Sequence, residues 1–198
     1  MPVNTYLTAV EQARLERVTV GIAGAGGLGS NVAAHLVRAG IRHLVLADFD
    51  VVAPSNLNRQ FFFRDQIGRR KVDALAENLR RIEPDLDLAL HAVRLAPDNL
   101  QTIFGACDVV VEAFDNVESK AALLATVRDR PVVSASGLAG WGRSNEMKVR
   151  RVGPNLVIVG DCASDVRAGL APQSARVGIA AAMQANAVLA LLLGSTRL

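Results

Sequence analysis

The run Val18-Thr19-Val20-Gly21-Ile22-Ala23-Gly24-Ala25-Gly26-Gly27-Leu28-Gly29-Ser30-Asn31-Val32-Ala33-Ala34-His35-Leu36-Val37 decides the fold of this chain. Its first part is rich in β-branched residues, which predicts a buried strand. Its last part sets small and aliphatic residues at helical spacing. Between them stand Gly24, Gly26, Gly27 and Gly29. Glycines in such a turn let the main chain approach a phosphate and let the helix pack closely on the strand. A second apolar run, residues 44–47, ends at Asp48, at the spacing where a dinucleotide-type fold sets a carboxylate against a ribose hydroxyl. Strand, turn, helix and acidic strand end together predict a nucleotide site. The glycines alone would serve equally for close packing.

Downstream, Asp48-Phe49-Asp50 leads into Pro54-Ser55-Asn56-Leu57-Asn58-Arg59-Gln60, and Lys71 follows in a predicted helix. A redox dinucleotide already has its phosphates neutralised by the glycine turn and the helix terminus. Further cations aimed at the same crevice suit a triphosphate, which carries more negative charge and develops more during attack at phosphorus. Taken singly, Arg59 or Lys71 reads as a solvated charge at a helix end. Asp115-Asn116 lies just beyond the apolar run 109–111, at the edge where open α/β sheets collect ligands. An Asp there is either the cap of the following helix or a carboxylate facing the ligand. Opposite phosphates it would repel substrate unless a cation lay between them, and Mg²⁺ takes one or two carboxylates together with phosphate oxygens.

The rest of the chain fits around these points. Residues 7–17 predict a short amphipathic helix, 18–23 the first strand, 27–39 a helix ended by Gly40, and 43–47 the second strand. Residues 65–81 predict a helix with Ile67, Val72, Leu75, Ala76 and Leu79 on one face, broken at Glu83-Pro84. Strands are expected at 86–90, 108–111 and 131–134, and helices at 99–104 and 117–127. This β-α alternation predicts a parallel sheet covered on both faces. It changes after Gly142: residues 147–152 and 156–159, around Gly153-Pro154-Asn155, predict an antiparallel hairpin. Residues 175–193 predict a long Ala- and Leu-rich helix. Its hydropathy would pass for a membrane span, but Arg176, Gln184 and Asn186 argue for burial against protein. The expected fold is α/β: a Rossmann-like, doubly wound, mostly parallel sheet with a C-terminal antiparallel hairpin and a closing helix, forming a single domain over residues 1–198.

Composition narrows the function. The 198 residues carry 22 Lys and Arg against 19 Asp and Glu, a net charge of +3, with the basic residues spread along the chain. With one Trp and one Tyr, no stacking platform or basic stripe for nucleic acid is evident. Cys107 and Cys162 are too few and too far apart for a disulfide framework or a structural zinc site. Cys107, beside an apolar run, reads as a small buried hydrophobe; Cys162 follows Asp161 in a polar segment and stays open. The N-terminus lacks a basic-then-apolar pattern, so a soluble, cytoplasmic protein is expected, with no membrane partner.

Gly24-Ala25-Gly26-Gly27-Leu28-Gly29, Asp48-Phe49-Asp50, Ser55-Asn56-Leu57-Asn58-Arg59-Gln60, Lys71 and Asp115-Asn116, in that order and spacing, resemble the ATP-dependent activators of ubiquitin-like and sulfur-carrier proteins. These include the adenylyltransferases of thiamine and molybdopterin biosynthesis and the adenylation domain of ubiquitin-activating enzymes. Residues 136–144 and 172–186 look most like the short form of the ThiF-type sulfur-carrier adenylyltransferases. The resemblance covers nearly the whole chain. It implies a glycine turn (Gly24, Gly26, Gly27, Gly29) under the nucleotide, Asp48 on the ATP ribose, and Asn56, Arg59 and Lys71 on the phosphates. It also makes Asp115 a catalytic, Mg²⁺-associated aspartate. It implies a homodimer in which an arginine near one N-terminus reaches the other site; Arg14 and Arg17 are the candidates, outside the family's usual tyrosine–arginine context. The paired Cys-x-x-Cys zinc motifs of the family are missing, so no structural zinc is expected. Cys162 is the nearest match to a thioester or persulfide cysteine, in a local sequence that does not fit.

The resemblance therefore implies adenylylation of the C-terminal glycine carboxylate of a ThiS-like, ubiquitin-like sulfur carrier, in thiamine thiazole formation. Alternatives keep the ATP site and change the substrate, to another carrier, a peptide C-terminus or a tRNA-modification target. From other classes come an NAD-dependent oxidoreductase, for which no proton-donor dyad is seen, and a non-catalytic carrier-binding scaffold.

Overall fold

The computed structural model describes residues 6–165 and 168–194. Its centre is a seven-stranded sheet in the order β3-β2-β1-β4-β5-β7-β6. The strands are β1 (Thr19–Ala23), β2 (His43–Ala47), β3 (Asp87–His91), β4 (Val109–Glu112), β5 (Val132–Ala135), β6 (Lys148–Arg151) and β7 (Leu156–Gly160). All neighbours pair in parallel except β6 with β7. The hairpin is therefore present, but its second strand enters the parallel sheet beside β5 and its first forms the antiparallel edge. The strand order reverses between β1 and β4, the topological switch at which such sheets open a crevice at their carboxyl ends.

Among the described residues six α-helices cover the sheet: α1 (Ala9–Leu15), α2 (Gly27–Ala39), α3 (Lys71–Arg80), α4 (Pro97–Phe104), α5 (Val117–Thr126) and α6 (Ser174–Leu193). Side chains alternate along each strand, so Leu44 and Leu46 face one layer while Val45 and Ala47 face the other. The first layer buries Val32 and Leu36 of α2, Leu75 and Leu79 of α3, and Val177, Ala181 and Val188 of α6. The second buries Leu100 and Phe104 of α4 and Leu123 of α5. The doubly wound arrangement expected from the β-α alternation is the one observed.

Local chemistry sets the helix ends. Thr8 and Glu11 form a reciprocal cap on α1, the Thr8 amide donating to Glu11 Oε2 at 2.8 Å and the Glu11 amide to Thr8 Oγ1 at 3.3 Å. Gly40 ends α2 in the left-handed region at φ 109°. α6 is apolar and long enough to cross a membrane by composition, yet half of it is buried within the protein. It lies along α2 and against β4, β5 and β7.

The helix expected over 65–81 is corrected. Residues Arg64–Gln66 form a short 3-10 turn and α3 begins only at Lys71. Gly68, at φ 87°, breaks the run. The intervening segment is tied to the chain before it, with Val52 N–H donating to Arg69 O, Gly68 N–H to Val52 O and Lys71 N–H to Asp50 O, at 2.8, 2.8 and 2.9 Å. Ile67, expected on the buried face, is 41% exposed for the same reason.

Candidate functional site

The four glycines do different work. Gly24 follows β1 at φ 100°, and its backbone joins the neighbouring strand ends: Gly24 N–H donates to Ala47 O, and Ala113 N–H to Ala23 O, each at 2.9 Å. Gly29 is a packing glycine, since a Cβ there would lie 1.8 Å from Gly24 O. At Gly27 a Cβ would meet Val177 Cγ1 at 3.2 Å and Arg59 Cγ at 3.5 Å. At Gly26 the nearest atom would be Gln60 Nε2 at 3.9 Å, on a backbone at φ −82° and ψ −147°. The protein's own packing therefore does not demand glycine at 26. Gly26 is also the N-cap of α2 and brings no side-chain cap, which leaves the helix's first amides for an anion.

Asp48 follows β2 and is fastened by both oxygens. Oδ2 accepts from Ala25 N–H at 2.7 Å and Oδ1 from Asp50 N–H at 2.8 Å. The carboxylate is thereby fixed against the glycine turn. Lys71, the first residue of α3, is 5% exposed and its Nζ lies 2.8 Å from Asp50 Oδ2. A buried ammonium requires such a partner. Asp50 belongs to the motif, but sequence reasoning assigned it no role; burial of Lys71, a tertiary property, supplies one.

Arg59 and Asn56 sit on the short turn after Pro54. Asn56 Oδ1 accepts from Ala53 N–H at 2.9 Å and shapes that turn. Arg59 lays its aliphatic stem beside Gly27 and donates from Nη1 to Ser55 O at 3.2 Å and Asn58 Oδ1 at 2.8 Å. Its backbone is anchored to α2 through Asn31 Nδ2, which donates to both Arg59 O (2.9 Å) and Gly27 O (2.7 Å). A buried pair missed in the sequence, Gln66 and Asn78, holds the next residues: Asn78 Nδ2 donates to Phe61 O at 2.8 Å and Gln66 Nε2 to Asn78 Oδ1 at 2.7 Å.

Asp115 stands beyond β4. The cap of α5 is Asn116, whose Oδ1 accepts from Ser119 N–H at 2.8 Å, so capping is not the task of Asp115. Its exposed side chain lies on the turn after the strand adjacent to β1. Gly24 with its neighbours, Asp48 and Asp115 thus occupy the carboxyl ends of three adjacent strands, β1, β2 and β4, at the switch point.

The family profile described as ThiF family matches residues 4–198. The chain belongs to the ThiF family. Among curated relatives, the adenylyltransferase and sulfurtransferase MOCS3 of Culex quinquefasciatus is 35% identical over 130 residues, which is 64% of this chain and 30% of that protein. The ubiquitin-like modifier-activating enzyme 5 of Caenorhabditis elegans is 35% identical over 124 residues, 57% of this chain and 30% of its own. The chain thus spans about 30% of the length of these relatives. Among solved structures, E. coli tRNA N6-threonylcarbamoyladenosine dehydratase TcdA in complex with AMP superposes with a TM-score of 0.86 at 23% identity, covering 93% of this chain and 90% of that one. E. coli MccB with ATP gives 0.73 at 22% identity, over 92% and 57%. These likenesses confirm the ThiF-type fold.

Other candidates lie elsewhere in the fold. Arg14 Nη1 is 3.9 Å from where a Cβ on Gly194 would be, at the C-terminal end of α6, whereas Val177 at the other end touches the glycine turn. At 1.5 Å per residue the helix separates the two by about 25 Å, so Arg14 does not join the crevice of its own chain. Arg14 and Arg17 instead line an open hollow of about 510 Å³ with Ala9, Val10, Ala13 and Val18. Cys162 is exposed after β7 at φ 58°, with Sγ 3.4 Å from Arg150 Nη1. Cys107 is buried, and burial pushes its thiol up to about 11, which suits the small hydrophobe expected there. Arg176 is buried as expected, but its partner and a second buried ion pair escaped the sequence reading. Arg176 at the start of α6 pairs with Asp161 and donates to Gly142 O, and Glu112 meets Lys120 below Asp115. Burial alone would raise the Asp161 carboxyl, but the amides of Ser164 and Ala163, the Ser164 hydroxyl and Arg176 hold it below the usual range.

Proposed function

We propose that this chain activates the C-terminal glycine carboxylate of a small ubiquitin-like sulfur carrier of the ThiS type, using ATP. The observation that supports this best is Arg59 lying along Gly27 at the uncapped N-terminus of α2, with Lys71 next to the same motif. That places positive charge beside an anion site already served by backbone amides, the provision a triphosphate needs. In the reaction a carboxylate oxygen bonds to the α-phosphorus as the bond from α-phosphorus to the bridging oxygen of pyrophosphate breaks. Carrier acyl-adenylate and pyrophosphate are the products. The nucleophile is already an anion, so no general base is required, and catalysis rests on alignment and charge stabilisation.

Each side chain has a task in this reading. Asp48, held by two amides, presents its remaining lone pairs to the ribose hydroxyls. Gly26 admits the phosphates to the amides of α2. Arg59 meets charge developing on the phosphoryl oxygens, Lys71 shifts from Asp50 toward the departing pyrophosphate, and Asn56 keeps the Arg59 turn in shape while facing the phosphates. Among the described residues no cluster of three or more His, Cys, Asp and Glu side chains is placed to hold a metal. One exposed carboxylate at the crevice nevertheless fits Mg²⁺, which takes most of its ligands from phosphate and water. Asp115 would hold it, and the ion would supply neutralisation of phosphate charge.

The same reading takes residues 1–198 as one cytoplasmic, ATP-binding domain acting in thiamine thiazole formation as a homodimer. The distance of Arg14 from its own crevice favours its use, or that of Arg17, across a two-fold interface. The deciding experiment is pyrophosphate exchange into ATP. It should depend on a carrier ending in diglycine and vanish when the last glycine is removed. No exchange with any diglycine carrier, while ATP still binds, overturns the reading. AMP transfer to a nucleic-acid-derived substrate instead would assign the chain to tRNA modification.

Two substitutions separate binding from turnover. Asp48→Ala should weaken ATP by about 1.5–3 kcal/mol through lost charge-assisted hydrogen bonds to the ribose, as measured by calorimetry. Unchanged ATP affinity would mean that the nucleoside lies elsewhere. Arg59→Ala should cut single-turnover rate by roughly 10², with carrier affinity held. Arg59→Lys should recover little, because the guanidinium fork is lost.

A further inference from the structure

Glu112 is the last residue of β4 and is fully buried, 0% exposed. Its two carboxylate oxygens serve different parts of the fold. Oε1 accepts from Phe114 N–H at 2.8 Å, on the turn that carries Asp115. Oε2 accepts from Lys120 Nζ of α5 and from Ser134 Oγ of β5. Lys120 Nζ also donates to Ala135 O at 2.7 Å, and Gln184 Nε2 of α6 ties Glu112 O to Val133 O, each at 3.1 Å. One carboxylate thus joins β4, β5 and α5 to the turn, and the amide of Gln184 adds α6.

A buried ion pair is a poor source of stability, because desolvating two charges offsets most of their attraction. The hydrophobic residues filling the two faces of the sheet would pack here at no such cost. What the pair does provide is position. Phe114 N–H is held from beneath by Glu112, and two residues on, Asn116 is held by its cap to Ser119 N–H. Asp115 lies between these two anchors with its backbone fixed on both sides and its side chain turned out to solvent.

We infer that Glu112, backed by Lys120 and Ser134, is a positioning residue that fixes the Phe114–Asn116 turn and so aims Asp115 at the crevice. This rests on the reading of Asp115 as the carboxylate that meets the Mg²⁺-bound phosphates. Glu112 touches neither nucleotide nor carrier and acts only through the turn. Glu112→Gln is the informative change, because an amide has one acceptor oxygen where the carboxylate has two. It cannot serve both Phe114 N–H and Lys120.

The test pairs amide exchange at Phe114, followed by NMR, with ATP affinity and carrier-dependent turnover in Glu112→Gln, Ser134→Ala and Lys120→Arg. Glu112→Gln should speed Phe114 exchange relative to amides in β1 and lower turnover by about 10–100-fold, the usual effect of removing an outer partner of a metal-binding group. ATP affinity should stay within about twofold, since Asp48 and the glycine turn are untouched. Lys120→Arg should keep both properties near those of the parent, and Ser134→Ala should give the same pattern in weaker form. Ser134→Ala carries the test if Glu112→Gln does not fold. Unchanged exchange at Phe114, or ATP affinity falling in step with turnover, overturns the inference. If the parent protein adenylylates no carrier, the functional reading fails while Phe114 exchange still decides whether Glu112 anchors the turn.

Discussion

Asp115→Ala should leave ATP bound and the carrier unactivated. The substitution removes a side chain with no hydrogen bond or ion pair to the glycine turn, Asp48, Arg59 or Lys71 among the described residues, and its backbone stays pinned at Phe114 N–H and by the Asn116 cap. Metal-assisted charge stabilisation is worth several kcal/mol, so carrier-dependent exchange should fall by on the order of 10³. ATP affinity in the absence of Mg²⁺ should stay within about threefold, because no nucleoside or backbone contact is lost. Asp115→Asn is the sharper form: it keeps the shape while removing the charge and one acceptor oxygen, and it should lose nearly as much activity. Retained turnover in Asp115→Asn would mean that the side chain shapes the turn rather than meeting a cation. A loss of ATP affinity equal to the loss of rate would mean that it binds ground state and transition state alike.

The parts legible in the sequence are those whose chemistry is local. The turn between β1 and α2 is encoded by consecutive glycines, α2 by its own periodicity and by Gly40, and Asp48 by its distance along the chain from that turn. The sequence leaves Asp115 two roles, the cap of the following helix or a carboxylate facing the ligand. Only the hydrogen bond to Ser119 decides between them. Residues 65–70 read as helix because Ile67 extends the apolar face of α3 towards the N-terminus, while Gly68 and the bridges to residues 50–52 hold the segment open. The difference matters, since Lys71, expected inside the helix, is its first residue and meets Asp50 there. The position of β7 between β5 and β6, the Glu112–Lys120–Ser134 cluster and the Arg176–Asp161 pair depend on contacts between distant residues. No spacing along the chain reports them.

Gly29→Val should be the most damaging single change to stability, and it acts through packing at the base of α2. Gly29 lies in the first turn of α2, where the helix crosses back over the end of β1, and even a Cβ there would sit 1.8 Å from Gly24 O and 3.0 Å from Ile22 Cγ2. The obstruction is backbone, so no rotamer relieves it: α2 must lift from β1, and the packing of Val32 and Leu36 against the sheet goes with it. Overpacking a core commonly costs 1–3 kcal/mol, and a clash with main chain puts this case at roughly 3 kcal/mol or more. For a chain of this size that corresponds to a fall in Tm on the order of 10 °C. Gly26→Ala is the control. Its Cβ would find only Gln60 Nε2 at 3.9 Å, so Tm should fall far less than in Gly29→Val while ATP affinity falls, because the methyl group occupies the approach to the α2 amides. Thermal unfolding should therefore separate the two variants, with the large fall in Tm confined to Gly29→Val, while ATP titration reads the loss in Gly26→Ala. Equal Tm values would remove Gly29 as a packing glycine, and undiminished ATP affinity in Gly26→Ala would move the phosphates away from this turn.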